Sequence, residues 1–176
     1  MGMPNKLKNF LCHKGEGQAA IFQGKVTEVT LPKLTRKLED YRAGGMDGTV
    51  SVDLGQEKME MTLKVGGFMA ELYRDFAKPG VNAVPLRFTG AYQRDDTCAV
   101  QSVEVFCRGR LAEVDGGTSK AGDDTEQSFL YHINYYRLRV DGRDEIEIDV
   151  INMKCIVDGV DVLAEIRNAI GLDANI

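Results

Sequence analysis

Apolar and polar residues alternate with a period of two over much of the chain. The alternation runs through residues 49–54, breaks at Gly55-Gln56-Glu57 and resumes through residues 58–65. This pattern predicts a β-hairpin with one buried face and one solvated face. The polar rows of this hairpin are Thr49, Ser51 and Asp53 on the first strand and Lys58, Glu60, Thr62 and Lys64 on the second.

Other segments show the same period, and the chain is predicted to contain about six or seven strands. The dipeptide Asp141-Gly142 separates two of them and favours a tight hairpin turn. The remaining predicted strands are Ala20–Leu31, Val84–Gln93, Ala99–Glu113, Gln127–Val140 and Glu145–Val157.

Helical spacing occurs in only two places. Residues 68–76 place Phe68, Met69, Leu72, Tyr73 and Phe76 on one face of a short helix. Residues 162–170 place Val162, Leu163, Ile166 and Ile170 on one face of a second helix, which Gly171 closes. The predicted fold is therefore mainly β, an antiparallel sandwich or barrel with one or two flanking helices.

Three stretches lack the apolar residues of a compact core. They are the N-terminal arm at residues 1–18, the segment 32–48 and the segment 113–126. Loops of this length are uncommon inside a small domain and tend to contact partners. The length of 176 residues predicts one domain, residues 1–176, with these stretches available to neighbouring molecules.

Composition and charge argue against some classes of protein. Hydrophobic residues make up 43% of the chain and charged residues 28%, as in ordinary globular proteins. The 22 Lys and Arg residues against 27 Asp and Glu residues give a net charge of −5, which argues against a protein that grips nucleic acid. No apolar run reaches the length of a membrane helix or resembles a secretion signal.

The sequence offers little catalytic chemistry. The cysteines at positions 12, 98, 107 and 155 are widely spaced, with no zinc-binding pattern, so we expect reduced thiols and no metal or cofactor. The residue pattern leaves open a Cys–His pair such as Cys107 with His132, because such partners meet in space. The row Glu145, Glu147 and Asp149 alternates with apolar residues and indicates a solvated strand face. We therefore expect a binding or structural protein and no enzyme.

Three segments carry a resemblance to a known family. The stretches VTEVTLPKLTRKLEDYRAGGM at 26–46, VPLRFTGAYQRDDT at 84–97 and IEIDVINMKCIVDGVD at 146–161 resemble the major tail tube protein of contractile-tailed bacteriophages. The resemblance extends more loosely from Lys6 to the C-terminal helix. Tube proteins of R-type bacteriocin particles are similar as well.

The resemblance implies a function and a set of partners. Hexameric rings, whose inner sheets join into one barrel, would stack into a hollow tube within a contractile sheath. Expected partners are other copies of the chain, the sheath, the tape-measure protein, the baseplate and the tail terminator. DNA would meet the protein only in transit, and the protein would not insert into a membrane itself. The tube would assemble in the host bacterial cytoplasm and end in the virion tail.

Residue roles follow as hypotheses. The two polar rows at 49–53 and 58–64 are candidates to line the tube lumen, although the outer surface is an alternative. The apolar residues Leu34, Leu38, Tyr41 and Met46 are candidates for contacts between subunits or rings, with packing onto their own subunit as the alternative. The sequence leaves three alternatives open. The chain could be the tube subunit of a bacteriocin particle, a ring-forming protein of a type VI secretion system, or a small β-barrel ligand-binding domain or enzyme.

Overall fold

The computed structural model describes residues 2–15 and 22–172, which form eleven strands and two short helices. Every pairing between strands is antiparallel, and this confirms the predicted mainly-β fold. Neither helix in these two ranges has the length and apolar character to cross a membrane. The elements are β1 (Lys6–Lys14), β2 (Val26–Thr30), β3 (Arg36–Tyr41), β4 (Val50–Gln56), β5 (Met59–Gly66), α1 (Ala70–Tyr73), β6 (Val84–Gln93), β7 (Val100–Asp115), β8 (Glu126–Val140), β9 (Arg143–Asp149), β10 (Lys154–Val157), β11 (Val160–Asp161) and α2 (Ala164–Ala169).

Strands β7 and β8 form the centre of the fold and belong to both halves of one large sheet. The first half-sheet consists of β2, β5, residues 126–133 of β8 and residues 109–115 of β7. The second half-sheet contains the other ends of β7 and β8, with β1 and β6 on one side and β9, β10 and β11 on the other. The two halves share a single hydrophobic core.

The corner between the halves lies at Gly109. The register between β7 and β8 shifts between Arg108 and Gly109 and again between Leu111 and Glu113. Such bulges bend a strand and let it pass from one sheet layer to the next. A Cβ atom at Gly109 would lie 1.9 Å from the carbonyl oxygen of His132, so only glycine allows the two strands to approach this closely.

The core is built from the alternating apolar residues that the sequence pattern predicts. The inward row of β5 is confirmed: Met59, Met61, Leu63 and Val65 are all at most 1% exposed. Opposite them, the second half-sheet contributes buried residues from β6, β7 and β9. These are Val84, Leu86, Phe88, Val105, Cys107 and Ile148.

The predicted hairpin between residues 49–54 and 58–65 is wrong. β4 pairs with β3, whereas β5 pairs with β2 and β8. β3 and β4 form a separate two-stranded sheet, which we call the arm hairpin (residues 36–56). The apolar row of β4, predicted to be buried, is instead 43–52% exposed at Val50, Val52 and Leu54.

The link between β4 and β5 explains the different pairing. The Glu57 N–H donates to the Thr35 carbonyl over 2.9 Å, and the Gln56 side chain donates to the same carbonyl over 3.1 Å. These bonds hold the end of β4 beside the start of β3. Gly55, with a φ of +117°, adopts a backbone conformation that other residues disfavour. The chain therefore leaves the arm here without folding β4 onto β5.

The three stretches predicted to lie outside the core contain more regular structure than expected. Residues 6–14 form β1, which pairs with β6 and buries Cys12 in the core. The segment 32–48 contains β3, and strands β7 and β8 extend to reduce the third loop to residues 116–125. Residues 16–18 of the predicted arm and the start of the strand predicted at 20–31 lie outside the described residues.

The strand predicted over Glu145–Val157 is two strands. Asp149 ends β9, because its Oδ1 accepts the N–H groups of Ile151 and Asn152 over 3.1 and 3.0 Å. This side-chain turn reverses the chain, so that β10 pairs back onto β9. The predicted Asp141-Gly142 turn is confirmed, since Val140 pairs directly with Arg143 across it.

Both helices exist where helical spacing predicts them, but their predicted faces are only partly buried. In the first, Met69 and Leu72 enter the core, whereas Phe68 and Phe76 are 72% and 58% exposed. In the second, the face predicted from Val162, Ile166 and Ile170 points to solvent. The side chain of α2 that is buried is Arg167. Its partners are the Asp161 carboxylate at 2.7 Å and the Met153 carbonyl at 3.0 Å.

Candidate assembly surfaces

The solvent side of the first half-sheet carries a band of charged and polar residues, which we call the polar face. Residues directly opposite each other on neighbouring strands project to the same side, so the strand register defines this face. It comprises Glu28 and Thr30 of β2; Lys58, just before β5, with Glu60, Thr62 and Lys64 of β5; Arg110, Glu113 and Asp115 of β7; and Glu126, Ser128, Leu130 and His132 of β8.

The polar face has an acidic excess. In the predicted row Lys58, Glu60, Thr62 and Lys64, basic residues outnumber acidic ones. The strand register adds carboxylates from the neighbouring strands: Glu28, Glu113, Asp115 and Glu126. The whole face therefore has five carboxylates against three basic side chains. Alternation in the sequence does not predict Glu113 and Asp115 on this face, because the bulge at Leu111 shifts the alternation of β7 by one residue.

Ion pairs connect the strands of the polar face. Lys64 Nζ lies 3.2 Å from the Glu28 carboxylate and 3.7 Å from that of Glu126, and the Glu28 carboxylate raises the pKa of this lysine. Glu60 lies 2.6 Å from Lys58 Nζ and 3.1 Å from His132 Nε2. The hydrogen bond from Lys58 is the main reason that the pKa of Glu60 is below its usual value. The ion pair with Lys58 therefore favours the charged form of the Glu60 carboxylate.

The other predicted row, Thr49, Ser51 and Asp53, lies elsewhere. It belongs to the arm hairpin, where Asp53 forms an ion pair of 2.8 Å with Arg36 and the Ser51 hydroxyl donates to Asp40. The hydrogen bond from Arg36 lowers the pKa of Asp53. The structure therefore separates the two rows that the sequence analysis grouped on one hairpin.

The first half-sheet has two open edges. Within the described residues, β2 pairs only with β5, and residues 110–115 of β7 pair only with β8 apart from one bridge between Leu111 and Phe76. Open edges present unpaired backbone N–H and C=O groups, which natural proteins usually cover or pair. The sheet is thus four strands wide and unfinished on both sides.

The arm hairpin exposes apolar side chains on both of its faces. Of the predicted contact residues, Leu34, Leu38 and Tyr41 are 37%, 59% and 56% exposed. Met46 differs, because its sulfur accepts the Ala43 N–H and the residue is half-buried at the tip of its own hairpin. A two-stranded sheet of this kind has little stability in water unless another surface packs against it.

The candidate catalytic groups lie apart or serve the fold. Cys107 faces the core and burial raises the pKa of its thiol, whereas His132 lies on the polar face beside Glu60. Glu147 accepts the Tyr135 hydroxyl over 2.9 Å, and Asp149 holds the turn after β9. The described residues contain no group of His, Cys, Asp or Glu side chains arranged to bind a metal ion.

Open sheet edges and an exposed apolar arm are typical of structural proteins that pack against other molecules. The sequence profile of the family Phage tail tube protein FII matches residues 4–171. The chain belongs to this family and is a structural protein, not an enzyme. The tail tube protein of Escherichia phage P2 is 46% identical over 175 residues, which cover 98% of this chain and 100% of that protein. The major tail tube protein of Serratia phage KSP20 is 38% identical over 98% of this chain and 99% of its own.

Solved structures show the same fold at much lower sequence identity. A chain of the sheath-tube complex of the extracellular contractile injection system PVC, in its extended state, has a TM-score of 0.57 and 12% identity. The match covers 77% of this chain and 91% of that chain. A chain of the tube-terminating cap of the anti-feeding prophage has a TM-score of 0.60 and 13% identity, over 79% and 93% of the two chains.

Proposed function

We propose that this protein forms hexameric rings that stack into the tail tube of a contractile phage and conduct DNA into the host. The observation that carries the proposal is the match to phage tail tube proteins over nearly the whole chain, at 46% identity to that of phage P2. The tube would assemble in the host cytoplasm, inside a sheath, around a tape-measure protein, and between a baseplate and a terminator. It would then reside in the virion tail.

The open edges of the first half-sheet support ring formation. The β2 edge of one subunit would pair with residues 110–115 of β7 in the next, so that the four-stranded sheets close into one barrel around the ring. Closure removes every open edge of this sheet, which is the general advantage of a barrel. The contact is head-to-tail, since two different surfaces of the chain meet.

The polar face would then line the lumen, with Lys58, Glu60, Thr62 and Lys64 among its residues. Its acidic excess suits the passage of DNA, because a wall that repels phosphate does not retain it. The Thr49, Ser51 and Asp53 row lies on a different sheet and is not part of this proposed lining.

The arm hairpin would connect stacked rings. Its exposed apolar residues include Leu38 and Tyr41, with Leu34 just before β3, and the structure adds Val50, Val52 and Leu54 of β4. The loop at residues 116–125 is a second candidate contact, because it is exposed and joins the ends of two long strands. These proposals keep the segments 32–48 and 113–126 as contacts between subunits.

Electron microscopy of the purified protein over a concentration series tests the proposal directly. We expect rings at low concentration and hollow tubes at high concentration, because head-to-tail contacts propagate by mass action. If the purified protein stays monomeric by itself, the experiment is repeated with baseplate and tape-measure proteins added as a template. Monomers under both conditions contradict the proposed function. Genes for a capsid beside those for tube and sheath would distinguish a phage from a bacteriocin particle.

A further inference from the structure

The outer side of the second half-sheet carries a pocket of about 300 Å³ rich in arginine. Its floor is Phe106, a residue of β7 that is 4% exposed although it projects away from the hydrophobic core. The neighbouring residues Val105 and Cys107 project inward and are part of the core. The described residues that line the pocket are Arg87, Glu104, Phe106, Arg108, Arg137 and Arg139.

Two arginines stack over this floor. The guanidinium carbons of Arg108 and Arg137 lie 5.3 and 5.4 Å from the centre of the Phe106 ring. Arg108 also lies 5.0 Å from the centre of the Tyr135 ring. Cation–π contacts of this kind fix a guanidinium against an aromatic surface. The charged groups are therefore held in place before any ligand arrives.

Arg87 and Arg139, at the flanks of the pocket, form ion pairs with carboxylates. Arg87 lies 2.9 Å from Glu104, and Arg139 lies 2.7 Å from Asp144. The hydrogen bond from Arg139 is the main reason that the pKa of Asp144 is lowered. These two pairs neutralise the flanks of the pocket.

Arg137 forms no ion pair with a carboxylate among the described residues, and its Nε–H, like that of Arg87, is buried without a hydrogen-bond acceptor. It acts on the Asp144 carboxylate only at longer range, where it helps to lower the pKa of that group. A buried donor left unpaired is unfavourable, and a carboxylate that reached it would remove that penalty. The centre of the pocket thus has a half-buried cation with unused bonding capacity on a chain whose net charge is −5.

We propose that this pocket binds carboxylate side chains of an acidic segment of the sheath. The inference rests on the proposed tube function. If the polar face of the first half-sheet lines the lumen, the outer side of the second half-sheet, on the far side of the shared core, faces outward to the sheath. A planar guanidinium matches a carboxylate with two parallel hydrogen bonds, which gives orientation as well as attraction.

Protein carboxylates fit this pocket better than nucleic acid does. DNA in transit would be confined to the lumen, on the opposite side of the subunit. The site is one pocket wide, whereas proteins that bind nucleic acid contact many phosphates along an extended basic surface.

Co-sedimentation of assembled tubes with purified sheath protein from the same particle tests the inference. We expect Arg137→Glu tubes to bind the sheath about thirtyfold or more weakly than wild-type tubes, because a negative charge replaces the cation. The matched control is Lys58→Glu, the same change of charge on the polar face, which should bind the sheath as wild type does. Binding by wild-type tubes should weaken as NaCl is raised.

Each other outcome is decisive. Intact Arg137→Glu tubes that bind the sheath like wild type overturn the inference and leave the tube function standing. A folded Arg137→Glu monomer that no longer forms tubes shows an inter-subunit contact and also overturns it. Short duplex DNA that binds wild-type but not Arg137→Glu tubes assigns the pocket to phosphate. If Arg137→Glu fails to fold, Arg137→Gln removes the charge with less disturbance and must weaken sheath binding. Absence of tubes from the wild-type protein itself contradicts the proposed function instead.

Discussion

Arg167 is a buried cation that anchors the C-terminal helix. It is 5% exposed, and its guanidinium joins the Asp161 carboxylate before α2 to the Met153 carbonyl in the turn before β10. Asp161 also accepts the Leu163 N–H over 3.1 Å and so fixes the start of the helix. Because a buried charge without its partner is strongly unfavourable, this pair determines where α2 lies.

We expect Asp161→Asn to lower the free energy of unfolding by about 3 kcal/mol, since it leaves Arg167 buried without a counter-charge. Chemical denaturation of the monomer measures this. The control is Asp158→Asn in the same turn region, where an exposed pair with Arg143 should contribute about 1 kcal/mol or less. Equal losses in the two variants would contradict the role assigned to Asp161.

The same pair predicts a pH dependence. Arg167 holds the pKa of Asp161 below its ordinary value of 3.8, so the stabilisation is present above that pH. It is lost as the pH falls below 3.8 through the lower pKa of the folded state. Melting temperatures of the wild type should therefore fall more steeply below about pH 4 than those of Asp161→Asn. Parallel curves would exclude this linkage.

At the scale of elements, the arm hairpin is the part of the fold with the least support from its own subunit. Val50 and Tyr41 lie opposite each other on one face, with Val52 two residues along the same strand. All three are more than two-fifths exposed. A polar substitution there changes little in the monomer, because exposed positions rarely shift stability by more than about 0.5 kcal/mol.

We expect Val50→Ser with Val52→Ser to abolish tubes while leaving a folded monomer, because the apolar surface that would join rings is removed. Electron microscopy reports the tubes and thermal unfolding reports the monomer. The matched control is Asp40→Asn with Ser51→Ala on the opposite face of the same hairpin. Tubes of normal length from the valine variant would refute the proposed contact.

Local patterns in the sequence predict elements well and their partners poorly. The boundaries of β6 and the turn at Asp141-Gly142 are confirmed, because alternation and turn chemistry are properties of neighbouring residues. The pairing of β4 is not such a property: its apolar row indicates a covered face but not what covers it. The apolar face of α2 is likewise exposed, because helical spacing indicates an apolar face but not which surface covers it.

Surfaces that several strands build are equally hard to predict from local sequence. The solvated row from Lys58 to Lys64 was predictable because its residues alternate strictly with apolar ones along one stretch of chain. The acidic contribution of Glu113 and Asp115 depends on a bulge, and the Arg137 pocket depends on the register of three strands. Such features arise from long-range pairing, which no single window of sequence contains.

At the scale of the whole molecule, charge is divided between two sides. The polar face has an acidic excess, whereas the outer pocket of the second half-sheet is lined by four arginines and one glutamate among the described residues. A wall with an acidic inside and a cationic outer site would repel DNA in the lumen and attract carboxylates outside. For the proposed tube, the placement of charged side chains on the two sides of the subunit therefore matters more than the net charge of the chain.

We expect Glu113→Lys with Glu126→Lys to leave tubes intact but to impair DNA delivery, because the polar face would change from an acidic to a basic excess. Infectivity per particle, with tube formation checked by microscopy, measures the effect. The control is Asp158→Lys with Glu165→Lys, the same change of charge near α2. Normal infectivity of the Glu113→Lys, Glu126→Lys variant would contradict the proposal that these two residues line the lumen.

The continuity of β7 and β8 through the corner at Gly109 has a mechanical consequence. Because both strands belong to both half-sheets, peptide bonds join the two layers of the subunit. A thrust applied to one layer reaches the other through covalent backbone rather than through side-chain packing alone. The layers are unable to shear past one another without distorting that corner, so each subunit would transmit a thrust between its layers as one unit.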